Sequence, residues 1–350
     1  MTTFPRVVTL TANPSLDRTL AVPGPLERGA VVRLGPSSTE PGGKGVNVAR
    51  AVAAAGEDVV CVLPAADDDP IVRALHDLGI ALTTVPVAAA VRTNYTLTEP
   101  DGTTTKLNEP GTPLDENTRA ALADALHRHS AGARWVALSG SLPPGTPPDW
   151  YATIVASLRG TGAKVAVDTS EAPLLALLAA GPGSAPDLLK PNSEELAQLA
   201  GMSEEEVLAS PAAILSAVRS LHDRGVAEVL LTLGGDGALL STAAGTAEGS
   251  VWSASPPRIT VRSTVGAGDS SLAGYLLADL AGAPPAERLR TAVAYGSAAA
   301  SLPGSALPTP ASVDVSAVSV VAGPPDRTPF SARPSSTPLI PDPVAGRVVP

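Results

Sequence analysis

"ARWVALSG" (133–140), "DWYATIVASLRGTG" (149–162) and "AKVAVDTS" (163–170) give, in order, a short apolar run, a longer Ala/Leu/Val segment closed by glycines, and a second short apolar run. Strands covered on both faces read as unbroken apolar runs, and glycine closes helices because it adopts the left-handed backbone at their ends. The three stretches therefore read as strand, helix, strand. The same beat extends backwards through "RVVTLTA" (6–12), "VNVARAVAAAG" (46–56), "DVVCVLPA" (58–65) and "DPIVRALHDLGI" (69–80). It extends forwards through "APLLALLAAG" (172–181), "DLLKPN" (187–192), "SEELAQLAG" (193–201), "AAILSAVRSLHDRG" (212–225) and "AEVLLTLGGDGALL" (227–240). Such alternation predicts an α/β fold with a mostly parallel sheet and helices on both faces. Ligands of such sheets sit at the carboxyl ends of the strands.

The totals agree with that class. A chain of 350 residues suits one large α/β domain or two small ones, and an apolar share of 44% with only 3% aromatics implies a core of Ala, Val and Leu. The formal net charge of −10 argues against a nucleic-acid or anionic-membrane surface. The single cysteine, Cys61, permits no internal disulfide and reads as a buried strand residue. No basic leader followed by a long apolar run opens the sequence, and there is no run of about eighteen apolar residues, so a soluble cytoplasmic protein is expected.

Two segments break the beat. Residues 17–40 and 91–108 alternate Thr, Val and Leu with polar residues, and the second carries a "PDG" turn, so both read as strands outside the main sheet, either a flap over the site or two surface excursions. From Val321 to Pro350 there are eight prolines in thirty residues, so the domain is placed at 1–320 and 321–350 is expected to be a disordered tail.

"TVGAGDSSLAGYLLADLAG" (264–282) passes from glycines straight into an apolar helix. Its unpaired N–H groups and dipole favour an anion, a phosphate for instance. Asp269 lies within reach of the same spot, either as a base for a hydroxyl or as a plain N-cap. "EPGGKGVNVARAVAAAG" (40–56) is a second glycine-rich helix start, around Lys44, with Asn47 one turn inside. It lacks Walker spacing, and no GxGxxG follows the first strand, so a dinucleotide fold is poorly supported. Asp67–Asp69 read as a helix-capping turn, and His127 and His129 are two apart on one helix, the wrong spacing for a zinc site.

"NPSLDRTL" (13–20), "GGKGVNVARA" (42–51), "LSGSLPPG" (138–145), "KPNSEEL" (190–196), "TLGGDGALL" (232–240) and "TVGAGDSSLAG" (264–274) occur in the order found in the ribokinase-like (PfkB) sugar kinases. The sequence resembles that family over about residues 5–315, and within it most resembles the bacterial 1-phosphofructokinase and tagatose-6-phosphate kinase branch. The resemblance implies a three-layer α/β/α sandwich with a small β lid, and ATP and Mg2+ as donor and cofactor.

It further implies roles by position. Asp269 is the general base, and the amides of Gly266, Ala267 and Gly268 hold the transferred phosphoryl. Asp17, Gly43 and Asn47 match sugar contacts; Lys44 and Arg92, helped by Ser141 and the Gly140 amide, match a grip on a substrate phosphate. Lys190, Thr232, Gly234, Gly237 and Thr264 match nucleotide-side positions. Asn192 and Glu195 match the N-x-x-E that orients Mg2+ largely through water, although Glu194 and Glu195 also read as ordinary first-turn acids. Such positioning and charge stabilisation suffice for phosphoryl transfer.

D-fructose 1-phosphate phosphorylated at its 6-hydroxyl is the expected reaction, with tagatose 6-phosphate or fructose 6-phosphate as alternatives, and a non-catalytic sugar-phosphate sensor as a rival. A homodimer through the lid is implied. "VLPAADDDPIVRALHDLGI" (62–80) departs from the family by lacking a glycine pair, and "GSAAASLPGSALP" (296–308) by lacking an asparagine near the nucleotide base.

Overall fold

The computed structural model describes residues 5–243 and 250–324. Fourteen strands occur among them. They are β1 (Val7–Leu10), β2 (Ser15–Ala21), β3 (Ser37–Gly42), β4 (Val59–Pro64), β5 (Ala81–Val85), β6 (Arg92–Thr98) and β7 (Thr104–Asn108), followed by β8 (Trp135–Ser139), β9 (Lys164–Asp168), β10 (Leu188–Leu189), β11 (Glu228–Thr232), β12 (Ala238–Thr242), β13 (Val251–Ser255) and β14 (Ser319–Ala322). Ten of them form one sheet, in the order β14-β13-β12-β11-β10-β9-β8-β1-β4-β5. The pairings from β5 to β11 are parallel, and β12 to β14 add an antiparallel edge.

The period-2 geometry of a strand sorts its side chains into two cores. Val8, Leu10, Val136, Leu138, Val165 and Val167 join a cluster with the helices Glu116–Ser130, Trp150–Leu158 and Pro211–Asp223. Val7, Cys61, Leu63, Trp135, Ala137 and Ala166 join the opposite cluster with Lys44–Ala54, Pro70–Asp77, Ala267–Leu280 and Pro285–Ala300. The result is the three-layer sandwich of the sequence reading. Cys61 is a core residue whose thiol burial pushes up to about 11.

The two segments that break the beat form a separate four-stranded sheet, β3-β2-β6-β7. Their boundaries differ from expectation: β2 starts at Ser15, β3 ends at Gly42, and residues 22–36 between them hold no regular structure because Pro and Gly interrupt the alternation. The expected start of the tail at 321 is corrected. Ser319–Ala322 pair antiparallel with β13, Val320 opposite Ala254 and Val321 opposite Ser253, so the strand precedes the proline-dense stretch. Residues 325–350 lie outside the described residues.

Candidate active site

β9 ends at Asp168, β10 leads into Lys190, and β8 leads into Gly140, so three parallel strands deliver side chains to one carboxyl edge. Asp168 is 0% exposed and receives two lysines. Lys44 Nζ donates to its Oδ1 at 2.9 Å, and Lys190 Nζ lies 3.1 Å from its Oδ2. Burial alone would push this carboxyl up, but Lys190 and Lys44 overturn that and hold it below its ordinary value. Asp168 in turn raises Lys44 far above the usual lysine range, against the effect of burial.

Gly266, at φ 73°, is the N-cap of the helix Ala267–Leu280; that left-handed backbone is open to glycine and lets the loop turn directly into the helix. A side chain at Gly268 would lie 3.3 Å from Lys190 Nζ, so the ammonium stands over the helix start. Gly266 and Gly268 keep N–H groups with no acceptor among the described residues, whereas the Ala267 amide makes a long 3.4 Å bond to Thr264 O. Of the three amides expected to hold a phosphoryl, Ala267's is therefore engaged in a turn.

Asp269 is 6% exposed, and its Oδ2 accepts from Asn47 Nδ2 at 2.9 Å. Burial pushes its carboxyl above the ordinary range and Asp168 adds to this; Lys44 and the Asn47 bond oppose it. The Asn47 amide oxygen is buried without a partner. Lys44 and Asn47 come from one helix, Lys44–Ala54, packed on Ala267–Leu280. The helix start also presses on the end of β1, which needs glycine: a side chain at Gly45 would meet Leu10 O at 2.5 Å, and one at Gly43 would meet Thr11 Cγ2 at 2.7 Å.

The small sheet supplies a second group, joined to the first because β3 runs into Gly43 and Lys44. Asp17 Oδ1 accepts from Ser15 Oγ at 2.8 Å and Asn94 Nδ2 at 3.0 Å. Arg92 donates to Glu109 O at 2.9 Å and Asn13 O at 3.1 Å, and Asn13 Nδ2 reaches Ser141 Oγ at 3.4 Å. Arg92 Nε and Asn94 Oδ1 are buried and unpartnered. Orphaned polar atoms of this kind are costly unless a ligand satisfies them.

Some expected residues are otherwise occupied. The Gly140 amide donates to Asp168 O at 2.8 Å, so it is not a free donor; Gly140 acts instead through its 104° φ, which turns β8 past Lys44. Asn192 Oδ1 accepts from Glu195 N at 2.8 Å while Glu195 Oε2 accepts from Asn192 N at 2.9 Å, a capping box on the helix Ser193–Ala200. Thr232 bridges Asn192 and bonds Pro191 O, Gly234 opens a 3-10 turn, and a side chain at Gly237 would overlap the Ala254 carbonyl.

Sequence reasoning missed Asp168, Asn94 and Asn13. Asp168 had a signal, a lone carboxylate ending an otherwise apolar strand at the edge where ligands bind. Asn94 had a weaker one, its two-residue offset from Arg92.

Residues 11–312 match the family described as pfkB family carbohydrate kinase. The chain belongs to that family. It is 36% identical to a 1-phosphofructokinase of Xanthomonas campestris pv. campestris over 293 residues, 82% of this chain and 89% of that protein. It is 34% identical to the ATP-dependent 6-phosphofructokinase isozyme 2 of Mycobacterium tuberculosis over 310 residues, 86% of each. The crystal structure of phosphofructokinase-2 from Escherichia coli in complex with substrates and products superposes with a TM-score of 0.79 at 30% identity, covering 88% of this chain and 96% of that one.

Membership makes this a carbohydrate kinase and implies ATP as donor. The Mg2+ such chemistry implies fits the donor set here in one way. No three His, Cys, Asp or Glu among the described residues stand together as a cage. Glu195 commits Oε2 to its cap; burial and Asp168 push its carboxyl up, a state a nearby cation would reverse. An ion held mainly by water and phosphate oxygens, with Glu195 and Asn192 beside it, suits these residues. No helix among the described residues is long and apolar enough to cross a membrane.

Proposed function

We propose that the protein transfers the γ-phosphoryl of ATP to the 6-hydroxyl of D-fructose 1-phosphate, giving fructose 1,6-bisphosphate and ADP in the cytoplasm. The observation that carries the reading is Asp269: a buried carboxylate at a helix start with free amides, held by Asn47 and flanked by Lys44 and Lys190. The raised carboxyl takes the proton of the attacking hydroxyl as the bond to phosphorus forms. Gly266 and Gly268 amides with Lys190 face the transferred group, and Asn47 keeps the carboxylate aimed. Asp17, steadied by Asn94, holds sugar hydroxyls, and Arg92, Lys44 and Ser141 take the substrate's own phosphate. When bound, Mg2+ beside Glu195 and Asn192 neutralises nucleotide phosphate charge. Closure of the small sheet excludes water.

Fructose 6-phosphate is the second reading, favoured by the similarity to the 6-phosphofructokinase of Mycobacterium tuberculosis. A coupled assay with fructose 1-phosphate, fructose 6-phosphate and tagatose 6-phosphate separates them; preference for the first supports the proposal, and preference for either other rejects it. Asp269→Asn should lower kcat by roughly 10²- to 10⁴-fold while sugar-phosphate binding persists. Undiminished turnover would remove Asp269 from the chemistry. We also propose a homodimer through the small sheet, where Leu107, exposed, stands opposite Tyr95. Light scattering reporting a monomer would reject it.

A further inference from the structure

We propose that Asp69 is a positioning residue for Arg92, tying the large sheet to the root of β6; the inference rests on the reading of Arg92 as the phosphate grip. Asp69 is 4% exposed at the carboxyl end of β4, where it caps the helix Pro70–Asp77. A cap needs one carboxylate oxygen, and Oδ1 supplies it by accepting from Ile71 N at 3.0 Å. The other oxygen, Oδ2, crosses to a different part of the fold and accepts from Val91 N at 2.9 Å.

Val91 is the last residue before β6, and residues 86–91 contain no strand or helix that could hold it. The buried charge-assisted bond from Asp69 therefore fixes the backbone from which Arg92 leaves. Two guanidinium nitrogens then reach the Glu109 and Asn13 carbonyls, and Nε is left buried and unpartnered. A small shift of the β6 root would displace all three. Asp69 thus acts on the sugar phosphate through Arg92 without touching it.

Asp69→Asn separates positioning from capping. Asparagine caps as well as aspartate through its carbonyl, but its NH2 meets the Val91 N–H donor to donor. The expected result is a rise of about tenfold in KM for the sugar phosphate, the loss of roughly one hydrogen bond to a charged group, with KM for ATP unchanged and Tm lowered by a few degrees because the buried Val91 N–H loses its acceptor. The Val91 amide should exchange hydrogen faster. In an Arg92→Ala background, Asp69→Asn should add nothing to the sugar-phosphate KM.

An unchanged sugar-phosphate KM in Asp69→Asn, with Arg92→Ala raising it, would reduce Asp69 to a cap and overturn the proposal. So would full additivity of the two variants, or an equal rise in KM for ATP. Arg92→Ala with an unchanged sugar-phosphate KM would instead overturn the reading of Arg92, and this proposal with it.

Discussion

Replacing Asp168 by asparagine should unfold the apo protein at markedly lower temperature and make its stability dependent on anions. The carboxylate is fully buried, with Lys44 Nζ at 2.9 Å from one oxygen and Lys190 Nζ at 3.1 Å from the other. At an effective dielectric of about 20 each attraction at ~3 Å is worth ~5 kcal/mol, much of it offset by desolvation of the charges. Asparagine leaves the two ammonium groups around a neutral side chain, so their mutual repulsion has no resident negative charge to offset it. Breaking a buried ionic unit in this way costs about 3–5 kcal/mol, or roughly 5–8 °C in Tm for a domain of this size.

The nucleotide phosphates offer Lys190 the charge it lost, so saturating ATP should raise the Tm of Asp168→Asn by more than it raises that of the unaltered protein. Thermal melts with and without ATP and inorganic sulfate measure both effects. A variant melting within about 2 °C of the parent, or gaining no more from ATP than the parent does, would refute the view of Asp168 as the resident counter-ion.

Three other outcomes are expected. Asp269 is held above the ordinary carboxylate range, so its base form grows as pH rises through that raised value; the acidic limb of kcat should lie there. Asn47→Ala removes a donor to the ionised form and should move that limb to higher pH; a downward shift would contradict the geometry. Glu171 has φ 57°, a left-handed backbone costly for any side chain, so Glu171→Gly should stabilise by about 0.5–1 kcal/mol in denaturant melts, and a loss would be contrary. Ending the chain after Pro324 should leave turnover and Tm unchanged, whereas ending it after Val318 removes β14 and should lower Tm by several degrees; equal melts for the two would show that the edge strand contributes nothing.

The main sheet was legible because its strands are apolar on both faces and "VVTL" or "WVALS" can be little else. The glycine loops were legible because Gly43, Gly45 and Gly266 stand where a side chain would clash or strain the turn. What stayed hidden depends on strands distant in sequence. Nothing local to "AKVAVDTS" says that Lys44 and Lys190 converge on Asp168, and nothing in "LSGS" says that the Gly140 amide pairs with the strand beside it. β14 was lost because "SVVA" is too short to show a period before the prolines begin.

β3 enters the helix Lys44–Ala54 with only Gly43 between them, and Arg50 of that helix reaches back to Pro41 O at 2.9 Å and Glu40 Oε2 at 3.0 Å. The joint has no slack. Any force on the small sheet therefore bears directly on the first turn of the helix that carries Lys44 and Asn47.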